Sequence, residues 1–136
     1  RESKKPEYLA QAQHVAAYLM NHPNIPADKI PYWDYDVEVT PETPRDASSA
    51  AIMASALIEL STHTGKAEGK KYVDYAEQLL RSLTSPEYLA TPGSNGHFTL
   101  MHSTGNLPGN IEIDVPLTYA DYYYVEALLR MKKLLE

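Results

Sequence analysis

The chain has 136 residues, no cysteine and a formal net charge of −6. That is one domain's length, with room for a real core, and it leaves no disulfide framework and no thiolate metal site. The acidic balance argues against nucleic acid as a partner, because phosphate needs a basic footprint, and no stretch approaches the ~20 apolar residues of a membrane span. A small acidic ligand needs only a local Arg or His and stays open. The eleven Tyr far outnumber the single Trp and single Phe. Tyrosine offers a ring face and a hydroxyl, which suits polar ring-shaped ligands such as sugars and equally suits the rim of a helical core. The chain begins Arg1-Glu2-Ser3-Lys4-Lys5, without Met and without a visible signal peptide. It reads as a processed or excised piece, with cytoplasm and periplasm both open as its compartment.

The first helix starts at Pro6, a favoured first-turn residue, with Glu7 placed for the helix dipole. Leu9, Ala12, Val15, Ala16, Leu19 and Met20 form its apolar stripe, and Pro23 and Pro26 end it. Residues 23–44 then read as a long ordered loop, marked by Asn24, Asp28, Pro31, Pro41 and Pro44. A second helix is expected over Asp46–His63, with Gly65 as its stop. Its small face of Ala47, Ala50, Ala51, Ala54 and Ala56 suits a helix buried between neighbours.

The third helix is expected over Ala67–Leu83, on the stripe Tyr72, Val73, Ala76, Leu79, Leu80 and Leu83. A turn at Ser85-Pro86-Glu87 follows, with Ser85 as a cap, and then a loop around Pro92, Gly93, Asn95 and Gly96. Residues 98–101 read as a short strand or an extended piece. The last helix starts at Pro116 or Leu117 and runs to the C-terminus, where Lys132 and Lys133 complement the dipole.

The pattern Tyr8-Leu9, Ala12, Val15, Ala16, Leu19 recurs as Tyr72-Val73, Ala76, Leu79, Leu80, Leu83. The shift is 64 residues throughout, with one alanine-rich helix between the copies. Outer helix, buried inner helix and outer helix again are the parts of stacked helical hairpins in an α/α toroid. Two and a half hairpins do not close a ring, so an arc of them leaves apolar faces at its ends. Such an arc either packs against further sequence or caps itself.

Three segments carry candidate chemistry. Pro31-Tyr32-Trp33-Asp34-Tyr35-Asp36 sets three aromatics beside two carboxylates. Such a platform takes a sugar's CH face on the rings and its hydroxyls on the carboxylates, or else pins the loop to the core. Pro44-Arg45-Asp46-Ala47-Ser48-Ser49 opens the second helix. Its amide donors and the Arg45 fork attract an anion. Asp46 as N-cap, with Arg45 paired to a nearby Asp, is the purely structural reading. His102 can bind a ligand or orient a carboxylate. A His102–Ser103 nucleophilic dyad is disfavoured, because adjacent residues rarely align and no G-x-S-x-G elbow surrounds them. His14, His22, His63, His97 and His102 show no metal-ligand spacing. Glu112, Asp114 and Asp121 offer paired carboxylates of the kind glycosidases use, or salt bridges and caps.

PYWDYD at 31–36, PRDASSAAIMASALIEL at 44–60 and HSTGNLPGNIEIDVPLTYADYYYVEALLR at 102–130 occur in the order and spacing of one family. Over essentially the whole of residues 1–136 the chain resembles the C-terminal part of the unsaturated glucuronyl hydrolases, glycoside hydrolase family 88. The resemblance implies an all-α fold of alternating outer and inner helical hairpins, the C-terminal portion of a single (α/α)6-barrel domain. It implies removal of 4,5-unsaturated glucuronic acid from the non-reducing end of lyase-generated oligosaccharides. An aspartic acid assists hydration of the vinyl ether, and the resulting hemiketal collapses with cleavage of the glycosidic bond. No metal or organic cofactor is implied. The family's proteins are much longer, and their catalytic aspartates and stacking tryptophans lie earlier in the barrel. No catalytic residue therefore carries over, and the segment alone is expected to be inactive without the N-terminal part of the same barrel. Inner-helix N-termini and the loops before them face the family's pocket, which makes Trp33, Arg45, Asp46 and His102 the expected substrate-binding residues. A Ser-x-x-Ser-x-Lys device for sulfated sugars falls on Leu100, Ser103 and Gly105 and matches only at the serine. An unsaturated rhamnogalacturonyl hydrolase, with the same barrel and chemistry on pectin fragments, and a non-catalytic sugar-binding helical module are the alternatives. The HSTGNLPGNIEID run favours the glucuronyl enzyme.

Overall fold

The computed structural model describes residues 2–136; Arg1, the first residue of the basic N-terminal run, lies outside them. Four helices form: α1 (Pro6–Met20), α2 (Ala47–Ser61), α3 (Lys66–Leu83) and α4 (Thr118–Leu135), with one 3-10 turn at Asn95–His97. Among the described residues there are isolated β-bridges but no strand. All four helices expected from the apolar periodicity are present.

Boundary details differ from the sequence expectation. The helix expected to run to His63 ends at Ser61, and Gly65 caps the start of α3 instead of stopping α2. The cause is local: Ser61 Oγ donates to the Ile58 carbonyl (2.6 Å) and Thr62 Oγ1 to the Glu59 carbonyl (2.8 Å). These hydroxyls satisfy end carbonyls before the glycine is reached. Ser85 caps no helix; its carbonyl closes a turn by accepting the Tyr88 and Leu89 amides (3.1 and 2.8 Å). Residues 98–101 form an extended piece, with a single bridge between Leu100 and Leu89.

α2 is the central helix, packed extensively against α3 on one side and α4 on the other. Its Ala47, Ala50, Ala51 and Ala54 are fully buried. Small side chains let both neighbours approach closely, and the bulk comes from Tyr72, Leu79 and Leu83 on α3 and Tyr124 on α4. A polar clasp joins the far halves of α2 and α4. Ser55 Oγ donates to Glu126, Arg130 Nη1 donates to the Ser55 carbonyl (2.8 Å), and Arg130 Nη2 pairs with Glu59 (2.6 Å).

α1 stands apart. Only Ala16 of this helix is buried, so the two copies of the 64-residue pattern occupy different environments. Tyr8 is 60% exposed whereas Tyr72 is 3% exposed. Apolar space separates α1 from α2: one groove of about 800 Å³ along Leu9, Ala12, Ala56 and Leu60, and another of about 410 Å³ along Val15, Leu19, Ile52 and Met53. On α4, the face turned away from its buried Ala120, Tyr124 and Ala127 exposes Tyr122, Val125 and Leu129. The arc is apolar at both ends.

Candidate functional site

Two loops meet over the N-terminal end of α2. From the α1–α2 loop, the Trp33 amide donates to the Pro44 carbonyl (3.0 Å) and the Asp46 amide to the Pro31 carbonyl (2.9 Å), which lays the PYW run beside Arg45. From the α3–α4 loop, the His102 carbonyl accepts the Ala47 amide (3.0 Å), and Thr104 Oγ1 donates to the Arg45 carbonyl (3.0 Å). The segment after His102 folds back on itself. Ser103 and Val115 exchange both backbone hydrogen bonds (3.1 and 2.9 Å), and the Gly105 amide donates to the Glu112 carbonyl (2.8 Å).

Asp46 is the N-cap of α2 and is buried. Its Oδ1 accepts the Ser48 amide (3.0 Å), the Ser48 hydroxyl (2.6 Å) and the Thr104 amide (3.2 Å). A single oxygen thus ends the helix and ties the second loop to it. Arg45, next to it, turns the other way. Its Nε donates to the Ile30 carbonyl (3.0 Å), Nη2 pairs with Asp28, and the guanidinium lies 5.1 Å from the Tyr32 ring centroid. These bonds use two of its five N–H donors.

His102 has a positive φ of 63°, rare for a side-chain-bearing residue. Its Nδ1 lies 2.6 Å from Asp114 Oδ1, and its ring meets the Tyr88 ring edge-on at 6.1 Å. Tyr88 is buried and donates to Asp28 Oδ2 (3.0 Å). Burial pushes its phenol pKa well up, Arg45 works in the opposite direction, and the Asp28 charge and hydrogen bond add to the rise. Tyr88 is therefore a neutral donor at any ordinary pH.

A cavity of about 420 Å³ opens over this layer, lined among others by Arg45, Glu87, Tyr88, His102, Leu107 and Asp114. Of the residues expected to bind substrate, Arg45 and His102 face this shared space. Asp46 lies beneath it as a cap, and Trp33 is half-buried on the same loop without lining the cavity. Glu112, Asp114 and Asp121 take separate partners. Asp114 holds His102, Asp121 accepts the Thr99 and Leu100 amides (2.7 and 2.8 Å), and Glu112 Oε2 fills the space beside Gly105 that a Cβ would occupy. Sequence reasoning missed Asp28 and Tyr88 as parts of the site. Asp28 was legible only as a turn residue, and Tyr88 lies in a turn with no motif around it.

Among the described residues, no group of three or more His, Asp or Glu side chains is placed to hold a metal ion, and no helix is long and apolar enough to cross a membrane.

No family model matches the chain. The unsaturated glucuronyl hydrolase of Formosa agariphila is 48% identical over 135 residues, covering 99% of this chain and 33% of that protein. A crystal structure of an unsaturated glucuronyl hydrolase specific for heparin superposes with a TM-score of 0.93 at 53% identity, over 98% of this chain and 35% of its own. A variant of the Streptococcus agalactiae unsaturated glucuronyl hydrolase, complexed with dGlcA-GalNAc6S, superposes with a TM-score of 0.87 at 26% identity, over 100% of this chain and 34% of its own. The chain spans about a third of the length of the curated relatives it matches. Its four helices take the arrangement of these α/α barrels over that third.

Proposed function

We propose that this chain, a member of the unsaturated glucuronyl hydrolase family over the third of those proteins that it spans, is the C-terminal part of one such barrel. The whole enzyme removes a 4,5-unsaturated uronic acid from the non-reducing end of lyase-generated oligosaccharides. One observation carries this reading: the similarity runs through the whole chain, loops included, at close structural agreement. The two apolar ends of the arc support it. Four helices are two of the six hairpins in an (α/α)6 barrel, matching the third of the relatives' length. The groove between α1 and α2 receives a preceding inner helix, and the Tyr122–Val125–Leu129 face of α4 receives the first hairpin on ring closure. Residues 1–136 are thus the C-terminal portion of a single domain, and its partner is the rest of that domain.

Within the completed barrel the α2 end forms part of the pocket wall. Arg45 offers its uncommitted donors to the uronate carboxylate, the one charge that every such substrate carries. His102, aligned by Asp114, hydrogen-bonds the sugar, and Trp33 flanks the entrance as a ring platform. Asp46 acts from below by fixing the loops that carry both. Proton delivery to the double bond falls to an aspartic acid in the upstream part. Water then adds across the vinyl ether, and the hemiketal opens with loss of the glycosidic bond. Mass spectrometry of a lyase-generated tetrasaccharide incubated with the full-length protein tests this. The product is expected to be shorter by one terminal uronyl residue; an unchanged tetrasaccharide across the panel of glycosaminoglycan and plant polyuronide substrates overturns the reading.

A further inference from the structure

We infer that Asp28 is a positioning residue that sets two side chains of the cavity wall, Arg45 directly and His102 through Tyr88. This rests on the uronate-binding reading above and extends it to a residue outside the cavity wall. Both carboxylate oxygens of Asp28 are engaged. Its Oδ1 accepts Arg45 Nη2 and the Ile30 amide (3.2 Å), and its Oδ2 accepts the Tyr88 hydroxyl (3.0 Å). Its own carbonyl accepts Ser82 Oγ (2.5 Å) from the end of α3. The carboxylate is therefore fixed before any ligand arrives.

The consequence for Arg45 is geometric. A guanidinium is a planar fork, and two of its donors held by Asp28 and the Ile30 carbonyl define that plane. The remaining donors then point in fixed directions, so a carboxylate meets a preorganised partner and not a mobile side chain. Tyr88 receives the same treatment. Held by Asp28 at its hydroxyl, its buried ring stands nearly perpendicular to the His102 ring at 6.1 Å. One carboxylate thus couples a loop residue, a turn residue after α3 and the strained His102 backbone into a single rigid unit.

The test compares kcat/KM of the full-length protein for an unsaturated uronyl disaccharide with that for its carboxyl methyl ester. Intrinsic reactivity differences between the two substrates cancel when the acid-to-ester ratio is compared between variants. Asp28→Asn keeps the side chain's size but removes the charge and one acceptor. It is expected to lower the acid-to-ester ratio about tenfold, through KM for the acid, the scale of a lost charge-assisted contact. Tyr88→Phe removes only the hydroxyl that holds Asp28 Oδ2, which loosens the carboxylate that aims Arg45, and is expected to lower the ratio about threefold. It also decides the matter if Asp28→Asn does not fold. Variants that lower both substrates alike, leaving the ratio where it was, make Asp28 merely structural and overturn the inference while the hydrolase reading stands. A wild-type protein inert toward both substrates overturns the hydrolase reading, and this inference with it.

Discussion

Replacing Asp46 by alanine separates the cap from every other role at the α2 end. In the folded chain, Asp46 Oδ1 accepts the Ser48 amide at 3.0 Å and the Thr104 amide at 3.2 Å, in a buried setting. Loss of an Asp N-cap costs about 1 kcal/mol. The Thr104 amide then stays buried without its acceptor, which costs about 1–3 kcal/mol more. The expected sum is about 2–4 kcal/mol, a large share of the ~5–15 kcal/mol that holds a typical domain folded. Asparagine caps as well as aspartate and keeps an oxygen for both amides, so Asp46→Asn is expected to cost less than about 1 kcal/mol. Urea unfolding of the full-length protein at equilibrium measures both values. Because the Ala47 amide is bonded to the His102 carbonyl, Asp46→Ala is also expected to raise KM by loosening the His102 loop. An alanine variant within 1 kcal/mol of wild type, or an asparagine variant as damaged as the alanine one, refutes the assignment of the cap.

Arg130→Ala removes the guanidinium that ties the Ser55 carbonyl and Glu59 of α2 to Glu126 of α4, and leaves the Ser55–Glu126 hydrogen bond in place. A loss of about 2 kcal/mol is expected in the same unfolding assay, and a loss below about 0.5 kcal/mol counts against the clasp. Gly69→Ala puts a Cβ 2.8 Å from the Ser61 backbone carbonyl oxygen. Overpacking of about 1–3 kcal/mol therefore outweighs the ~1 kcal/mol gain in helix propensity, and the variant should melt lower than wild type. Tyr75 is buried, its hydroxyl has no hydrogen-bond partner among the described residues, and burial pushes its pKa up to about 12. A raised folded-state pKa means the folded chain holds its proton longer than the unfolded one, so stability is intact below the ordinary pKa of 10.0 and declines as pH rises towards 12. Tyr75→Phe is expected to flatten that alkaline decline without destabilising the protein at neutral pH, and an unchanged decline in urea midpoints above pH 10 would contradict this.

The helices were legible because their signals are local. Pro6 opens α1, the alanine run marks α2 as buried, and Asp46 announces its own cap. The ends were less legible where hydroxyls competed with glycine, as at Ser61 and Thr62. Apolar faces at the ends of the arc were foreseen, but not that α1 would carry one of them, because the similar stripe in α3 is covered and its own is not. At the candidate site, Arg45 and His102, singled out by residue type and loop position, line one cavity. That Arg45 pairs with an Asp was foreseen, but which Asp was not, since Asp28 lies 17 residues from Arg45 and 60 from Tyr88, and no spacing rule joins them. The Asp114 partner of His102 lies across a folded-back loop whose geometry depends on positive φ at His102 and Asp114. Neither His nor Asp favours that backbone enough to announce it.

The most direct measurement follows the vinyl-ether absorbance of an unsaturated uronyl disaccharide. It is recorded with residues 1–136 alone and again with the same residues joined to the upstream hairpins. The joined protein is expected to abolish the absorbance and release the neighbouring sugar, while the 136-residue chain leaves both unchanged. Loss of absorbance with the isolated chain, or its persistence with the joined protein, would contradict the assignment of this chain as one third of a barrel whose acid lies elsewhere.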